Sequence, residues 1–409
     1  MKDSVALERL RLIVEASVPA YLSDLAQLVN TDSGSYTKSG VDAVGQWLGG
    51  QLAELGASVS VERNETFGDT LVATFDEGSG TRQPLLIGHM DTVFAAGTAA
   101  ARPFTMRDGR AFGPGVTDMK SGLLAGLYAL RALRTAYGEL REPLEWLPFR
   151  RLVMVCNPDE EIGSPASTPV IANQAARADV AIVLEAGRAN GDIVSSRKGI
   201  VDLALHLTGR SAHAGIEPEK GRHALLEAAH KTIALQALNG RWPGVTVNVG
   251  VVKGGTRPNV VPESAALEVD VRAVTRDALV QAEAAVREIC AASTVPDVTC
   301  RVEEHARHWP MEKTAGTARL VEHACAVAAE LGFELHDAAT GGASDANTTA
   351  GLGVPTLDGV GPVGGLDHSP DEYLEVASIG PRITMLAGLL QRIAGDESLE
   401  REGRSAQVG

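Results

Sequence analysis

Three short apolar runs constrain this chain more than any other feature: PLLIGH ending at His89, RLVMVCN ending at Asn157, and DVAIVLE ending at Glu185. Each is continuous rather than alternating, which is the pattern of a strand buried on both faces. Helical patterns lie between them, and MKSGLLAGLYALRALR, after the Gly-Pro loop at 113–115, is the strongest. Strands alternating with helices predict an α/β domain with a mostly parallel sheet. Each run also leads into metal-capable side chains: His89 and Asp91 after the first, Glu160 after the second, Glu185 after the third. Ligands in open α/β sheets gather beyond the carboxyl ends of the strands. Those three ends therefore predict one shared site.

The rest of the chain sorts around that domain. Apolar spacing predicts helices at about 5–30 and 40–55, followed by the β-rich runs SVSVER and TLVATF. From about 198 the pattern changes. GIVDLALHLTG alternates, with Val201, Leu203, Leu205 and Leu207 on one face and Asp202, His206 and Thr208 on the other. A helix (about 221–239), the runs VTVNVGVV and AALEVDVRA, a second helix (about 277–293) and VTCRVEE follow. That β-α-β-β-α-β order is the ferredoxin-like sandwich. Beyond Trp309-Pro310 the chain returns to helix at 313–332, a strand-like VPTLDGV, and a last helix at about 376–393. The expected plan is a catalytic domain in two parts, 1–197 and 310–395. A smaller domain is inserted at 198–309, and 396–409 is a polar tail.

Composition narrows the function classes. A formal net charge of −15 argues against nucleic acid and anionic membrane surfaces as partners. No run of about 18 apolar residues is expected to span a bilayer. Charges at the start of MKDSVALERLRLIVEAS interrupt the apolar core that a signal peptide needs. Cys156, Cys290, Cys300 and Cys325 show no CxxC spacing, so a reducing, cytoplasmic location is expected.

The acidic and histidine clusters carry the chemistry. His89 and Asp91 stand two apart at a strand end, so their side chains share a face. The pair reads as a metal-ligand histidine held by an aspartate, or as a capped turn. Asp118 follows GPGVT at a helix start and reads as an N-cap, as a carboxylate bridging two metals, or as both. Glu160 and Glu161 follow a buried strand, and adjacent carboxylates are costly unless cations are near. One could ligate a metal while the other addresses a bound water, and a solvated acidic loop is the alternative. Pattern alone does not single out His368, in GGLDHSPDEYLEV, from the other histidines.

The ordered set GHMDTV, PFTMRDGRAFGPGVTDMKSG, NPDEEIGS, GRSAHAG, RPNVVP, DVR, TGGASDA and DHSPDEY resembles the co-catalytic zinc peptidases of the glutamate carboxypeptidase family. That family includes acetylornithine deacetylase, succinyl-diaminopimelate desuccinylase and aminoacylase. The likeness runs from about residue 20 to 393. It implies two Zn2+ per subunit (Co2+ or Mn2+ as substitutes) bridged by Asp118. His89 and Glu185 would complete one, and Glu161 and His368 the other. Asp91 would orient His89 and Glu160 would be the general base. The Asp118–Met119 peptide is often cis in this family. In the smaller domain, His213 would stabilise the developing oxyanion, often in the partner subunit's site. Asn259 and Arg272 would hold the substrate carboxylate, with Gly341, Gly342 and Ser344 lining the same pocket. Arg272 also lies on the polar face of its strand, where bidentate carboxylate binding and plain solvation are alternatives.

The resemblance implies an exopeptidase that releases a C-terminal residue, with glutamate favoured, from a small peptide or N-acyl amino acid. It also implies a homodimer through the inserted domain. An N-acyl-amino-acid deacylase with the same machinery is the nearest rival. A non-catalytic, metal-free homologue would lack a ligand or the base, yet every such position is filled.

Overall fold

The computed structural model describes residues 7–137 and 146–399. The expected tail from 400 onward, and residues 5–6 of the expected first helix, lie outside the described residues. The chain divides into two compact units. One comprises the described residues through Ser195, with Lys313–Ala339 and Ser344 onward. The other comprises Ser196–Glu312 with Thr340–Ala343.

The first unit is built on a six-stranded sheet. Its strands run in the order Ser58–Glu62, Thr70–Asp76, Arg151–Asn157, Pro84–His89, Val180–Val183, Thr356–Leu357. The last four are parallel to one another, and the first two join antiparallel at one edge. Of the strand-like VPTLDGV, only Thr356–Leu357 pairs as strand. Every residue of Pro84–His89, Arg151–Asn157 and Val180–Val183 is buried, so these strands read as unbroken apolar runs.

Register then positions the site. Pro84–His89 pairs with Arg151–Asn157 so that His89 faces Asn157, and with Val180–Val183 so that Ile87 faces Val183. The residues that follow all three strands therefore leave the sheet at one level. Helices Leu7–Val29, Lys120–Tyr137 and Val376–Gly395 pack on one another, and Lys38–Glu54 packs on Thr70–Asp76. Leu10, Leu25, Leu123, Leu127, Leu386 and Leu390 belong to the core they share. Each such side chain contributes about 1.5–3 kcal/mol by leaving water.

Leu7–Val29 is long and apolar enough, on length and composition alone, to cross a membrane, a test that the core helix of a folded domain also passes. Its buried residues, Leu10, Val14, Tyr21, Leu25, Leu28 and Val29, instead pack in the core. Tyr21 donates its hydroxyl to the Ser121 carbonyl at 2.7 Å.

The second unit is a four-stranded antiparallel sheet, in the order Thr246–Gly254, Ser264–Ala273, Gly199–Thr208, Thr299–His308. Helices Ala224–Gln236 and Arg276–Ala291 pack against it. The chain order is βαββαβ. Val201, Leu203, Leu205, Leu207, Leu267, Val269 and Val271 form a separate core with Ala228, Leu235, Leu279 and Val286 from the helices.

Candidate active site

His89 ends its strand buried, and its ring is held from both sides. Nδ1 lies 3.0 Å from the Asp91 carbonyl oxygen and 3.3 Å from Asp91 Oδ1. Nε2 lies 3.0 Å from Asp118 Oδ1 and 3.6 Å from Glu185 Oε1. The second oxygen of Asp118 lies 3.1 Å from His368 Nε2, and that nitrogen is 3.0 Å from Glu161 Oε2. Two sets of ligand-capable atoms result, His89 with Asp118 and Glu185, and Asp118 with Glu161 and His368. Asp118 belongs to both. Its carboxylate faces one imidazole with each oxygen. The Asp118–Met119 peptide is cis, and His368 adopts φ 62°, which is uncommon outside glycine.

Glu160 and Glu161 lie in a single 3-10 turn, Glu160–Ile162, rather than in extended chain. Asp91 holds that turn. Its Oδ1 accepts from the Glu160 N–H and its Oδ2 from the Glu161 N–H, both at 3.2 Å, while Ser35 Oγ donates to Oδ2 at 2.7 Å. Asp91 therefore does more than orient His89.

The electrostatics fit a polycationic guest. Burial raises the Glu161 carboxyl and raises Glu160 well above the usual carboxylate range. For Glu160, His89 opposes that rise, and Glu185, Asp345 and Glu161 reinforce it. Burial would lower His89 and raise Asp118. Glu185 and Asp118 instead hold His89 well above its ordinary value, and His368 and His89 hold Asp118 below its own. Hydrogen bonds to Asp118 and Glu161 raise His368 to about 11. Asp91, Asp118, Glu160, Glu161 and Glu185 thus surround two imidazoles, an excess of negative charge that burial makes costly without cations. Glu161 Oε1 is buried with no hydrogen-bond partner. A carboxylate oxygen left in that state has the chemistry of a metal ligand, and imidazole with carboxylate is a donor set that divalent transition metals accept.

The remaining predicted residues are in the second unit, except Ser344. His213 is exposed and its Nδ1 accepts from the Gly215 N–H at 3.2 Å. The Ala214 N–H donates to the Asn259 carbonyl at 3.0 Å, so His213 and Asn259 lie on neighbouring segments. Arg272 donates from Nε to Asp270 Oδ1 at 2.9 Å and from Nη1 to the Gly341 carbonyl at 2.9 Å. Gly342 accepts from Arg197 Nη1 at 3.2 Å. Ser344 belongs to the first unit. Its hydroxyl caps helix Asp345–Gly351 and donates to Asp358 Oδ2 at 2.7 Å, so it is already engaged within the fold.

A family model described as peptidase family M20/M25/M40 matches residues 85–392. The chain belongs to that family. Carboxypeptidase G2 of Pseudomonas sp. (strain RS-16) is 30% identical over 377 residues, covering 91% of this chain and 89% of that protein. Acetylornithine deacetylase of Proteus mirabilis (strain HI4320) is 32% identical over 276 residues, covering 62% and 67%. The crystal structure of aminopeptidase PepT from Bacillus cereus superposes with a TM-score of 0.74 at 22% identity, covering 92% of this chain and 99% of that one. That likeness speaks to the fold alone. Like other M20/M25/M40 members, the chain is a metal-dependent enzyme, a metallopeptidase or amidohydrolase.

Reading the sequence missed several groups around this M20/M25/M40 site. Glu372 is buried and accepts three backbone N–H groups of the Asp118 loop. Burial raises its carboxyl to about 7 against those donors. Asp345 accepts from Asn157 Nδ2 at 2.8 Å and Ser164 Oγ at 2.6 Å, and burial raises it to about 6. Lys120 donates to the Thr31 carbonyl at 2.9 Å, and burial lowers it to about 8. All three sit inside motifs already singled out, DHSPDEY, TGGASDA and GVTDMKSG. Only their neighbours had been given work.

Proposed function

We propose that this protein is a dinuclear zinc exopeptidase that hydrolyses the amide bond to a C-terminal amino acid, glutamate in preference to others. The observation that carries the reading is the division of labour between Glu160 and Glu161. Glu161 joins the second ligand set and leaves a buried oxygen without a hydrogen-bond partner. Glu160, its neighbour, belongs to neither set. His89, Asp118 and Glu185 would hold one cation, and Asp118, Glu161 and His368 the other. Bound there, the two cations supply Lewis acidity, polarising the scissile carbonyl and making water acidic at neutral pH.

The chain's own residues do the rest. Glu160 takes the proton of the attacking water and returns it to the leaving nitrogen, a role open to a carboxylate that belongs to neither ligand set. Asp91 keeps the Glu160–Ile162 turn and the His89 ring in fixed relation. His213 accepts at Nδ1, so its neutral ring carries the proton on Nε2, ready to stabilise a developing oxyanion. Asn259 and the Arg272 guanidinium, aligned by Asp270 and the Gly341 carbonyl, are assigned to the substrate carboxylate, with Gly341, Gly342 and Ser344 as its surroundings. Likeness to carboxypeptidase G2 over nearly the whole chain supports C-terminal cleavage.

A second copy of the chain is assigned to the second unit. There Leu226 and Ile233 on one helix are 47% and 71% exposed, and Thr246–Gly254 is an edge strand. The four free cysteines support a cytoplasmic setting.

Likeness to acetylornithine deacetylase favours one other reading, an N-acyl-amino-acid deacylase with the same centre. Assaying the zinc-loaded protein on N-acyl-glutamate, glutamyl peptides and N-acyl derivatives of apolar amino acids decides between them. Faster release of an apolar amino acid overturns the glutamate assignment. Glu160→Ala should retain metal and lose about 10²- to 10⁴-fold in kcat. Turnover near wild type in that variant removes Glu160 as the base.

A further inference from the structure

Glu372 takes no part in either ligand set, yet its carboxylate is 1% exposed and lies directly behind Asp118. Both of its oxygens are engaged by one short loop. Oε1 accepts from the Thr117 N–H at 2.8 Å and the Asp118 N–H at 3.0 Å, and Oε2 accepts from the Gly115 N–H at 3.0 Å. The next residue repeats the tie, because the Thr117 hydroxyl donates to the Tyr373 carbonyl. On the other side, the Glu372 N–H donates to the Ser369 carbonyl at 3.3 Å, and Ser369 follows His368 in the chain. One buried carboxylate thus joins the loop that presents Asp118 to the loop that presents His368.

We propose that Glu372 is a positioning residue for the metal centre, holding the Asp118 main chain against the His368 loop so that each Asp118 oxygen meets one imidazole. The inference rests on the reading that these two sets hold cations. Three N–H donors converge on two oxygens, so both oxygens are engaged. An amide there offers a single oxygen and turns its NH2 group towards an N–H donor. Asp118 is common to both sets and His368 belongs to the second, so loosening Glu372 disturbs the second set at two of its three ligands. A purely structural carboxylate would instead behave like Asp69, which is 7% exposed and accepts from Lys38, Arg63 and the Asn64 N–H elsewhere in the first unit.

The test compares Co2+ binding by wild type, Glu372→Ala, Glu372→Gln, His368→Ala and Asp69→Asn. Affinity is measured by competition with a chromophoric chelator, and the visible absorption of bound Co2+ reports ligand geometry. Glu372→Ala should weaken Co2+ binding by about 10- to 100-fold, the usual cost of removing a group that orients a metal ligand, and should shift the spectrum. Glu372→Gln should fall between it and wild type. Asp69→Asn should lose thermal stability while keeping wild-type affinity and spectrum. Wild-type Co2+ affinity and spectrum in Glu372→Ala, or in Glu372→Gln where the alanine variant does not fold, overturn the inference. His368→Ala separates the two levels. If it too binds Co2+ as wild type does, the metal-centre reading fails along with the inference. If His368→Ala is weakened and the Glu372 variants are not, the inference alone fails.

Discussion

Glu160 and Glu161 have the same side chain and adjacent positions, and they end in different chemistry because of what holds the turn between them. Asp91 accepts both of their N–H groups, which directs Glu161 to His368 and keeps Glu160 outside both ligand sets. The paired carboxylates were legible in NPDEEIG, as was their need for cations. The role of Asp91 in holding the turn was not, because its donors come from residues 69 and 70 positions away. Asp69 gives a prediction at the same scale. Burial raises its carboxyl, but Lys38, the Asn64 N–H and Arg63 outweigh burial and hold it below the ordinary aspartate value. A carboxyl with a depressed folded-state pKa contributes stability above its unfolded value of about 3.9 and loses it as pH falls through the folded value. Asp69→Asn should therefore cost about 1–2 kcal/mol in urea unfolding at pH 7, since Lys38 and Arg63 are partly solvated. The gap to wild type should narrow below about pH 4. A gap that stays constant down to pH 3 contradicts this account.

At the scale of elements, the site depends on how closely helix Lys120–Tyr137 approaches the sheet. A Cβ on Gly122 would lie 1.8 Å from the Leu184 carbonyl oxygen, one residue before Glu185, and 3.0 Å from Met119 Cε. Backbone cannot yield as a flexible side chain can, so the helix must move. Gly122→Ala should therefore destabilise by about 1–3 kcal/mol, the range for overpacking a filled interior. It should also weaken metal binding by parting Asp118 from Glu185. An unchanged urea midpoint would show that the helix has room to spare. The helix and the three apolar strands were readable from period and continuity. That Gly122 abuts the Leu184 carbonyl was not, because helical glycine has no single meaning until the partner surface is known.

At the scale of the whole molecule, the described residues form two hydrophobic cores, each closed within its own unit. The switch from continuous to alternating apolar runs near residue 198 falls beside the boundary between Ser195 and Ser196. The return of Thr340–Ala343 to the second unit had no periodic signal. The proposed second copy makes a prediction here. Light scattering after size exclusion should give twice the chain mass. Replacing Leu226 and Ile233 together by lysine should give the single-chain mass, because burying two unpaired ammonium groups is prohibitive. A monomeric wild type overturns the assignment.

The sequence by itself determined the fold class, the buried strands and the residue types that converge on their ends, since periodicity reports directly which faces leave water. Tertiary structure alone decided that Asp118 stands between two imidazoles, one of them 250 residues away, that Glu161 carries the oxygen without a partner, and that Glu372 ties the loops together. Those outcomes depend on strand register and loop closure, which set distances between residues remote in the chain and leave no local pattern behind.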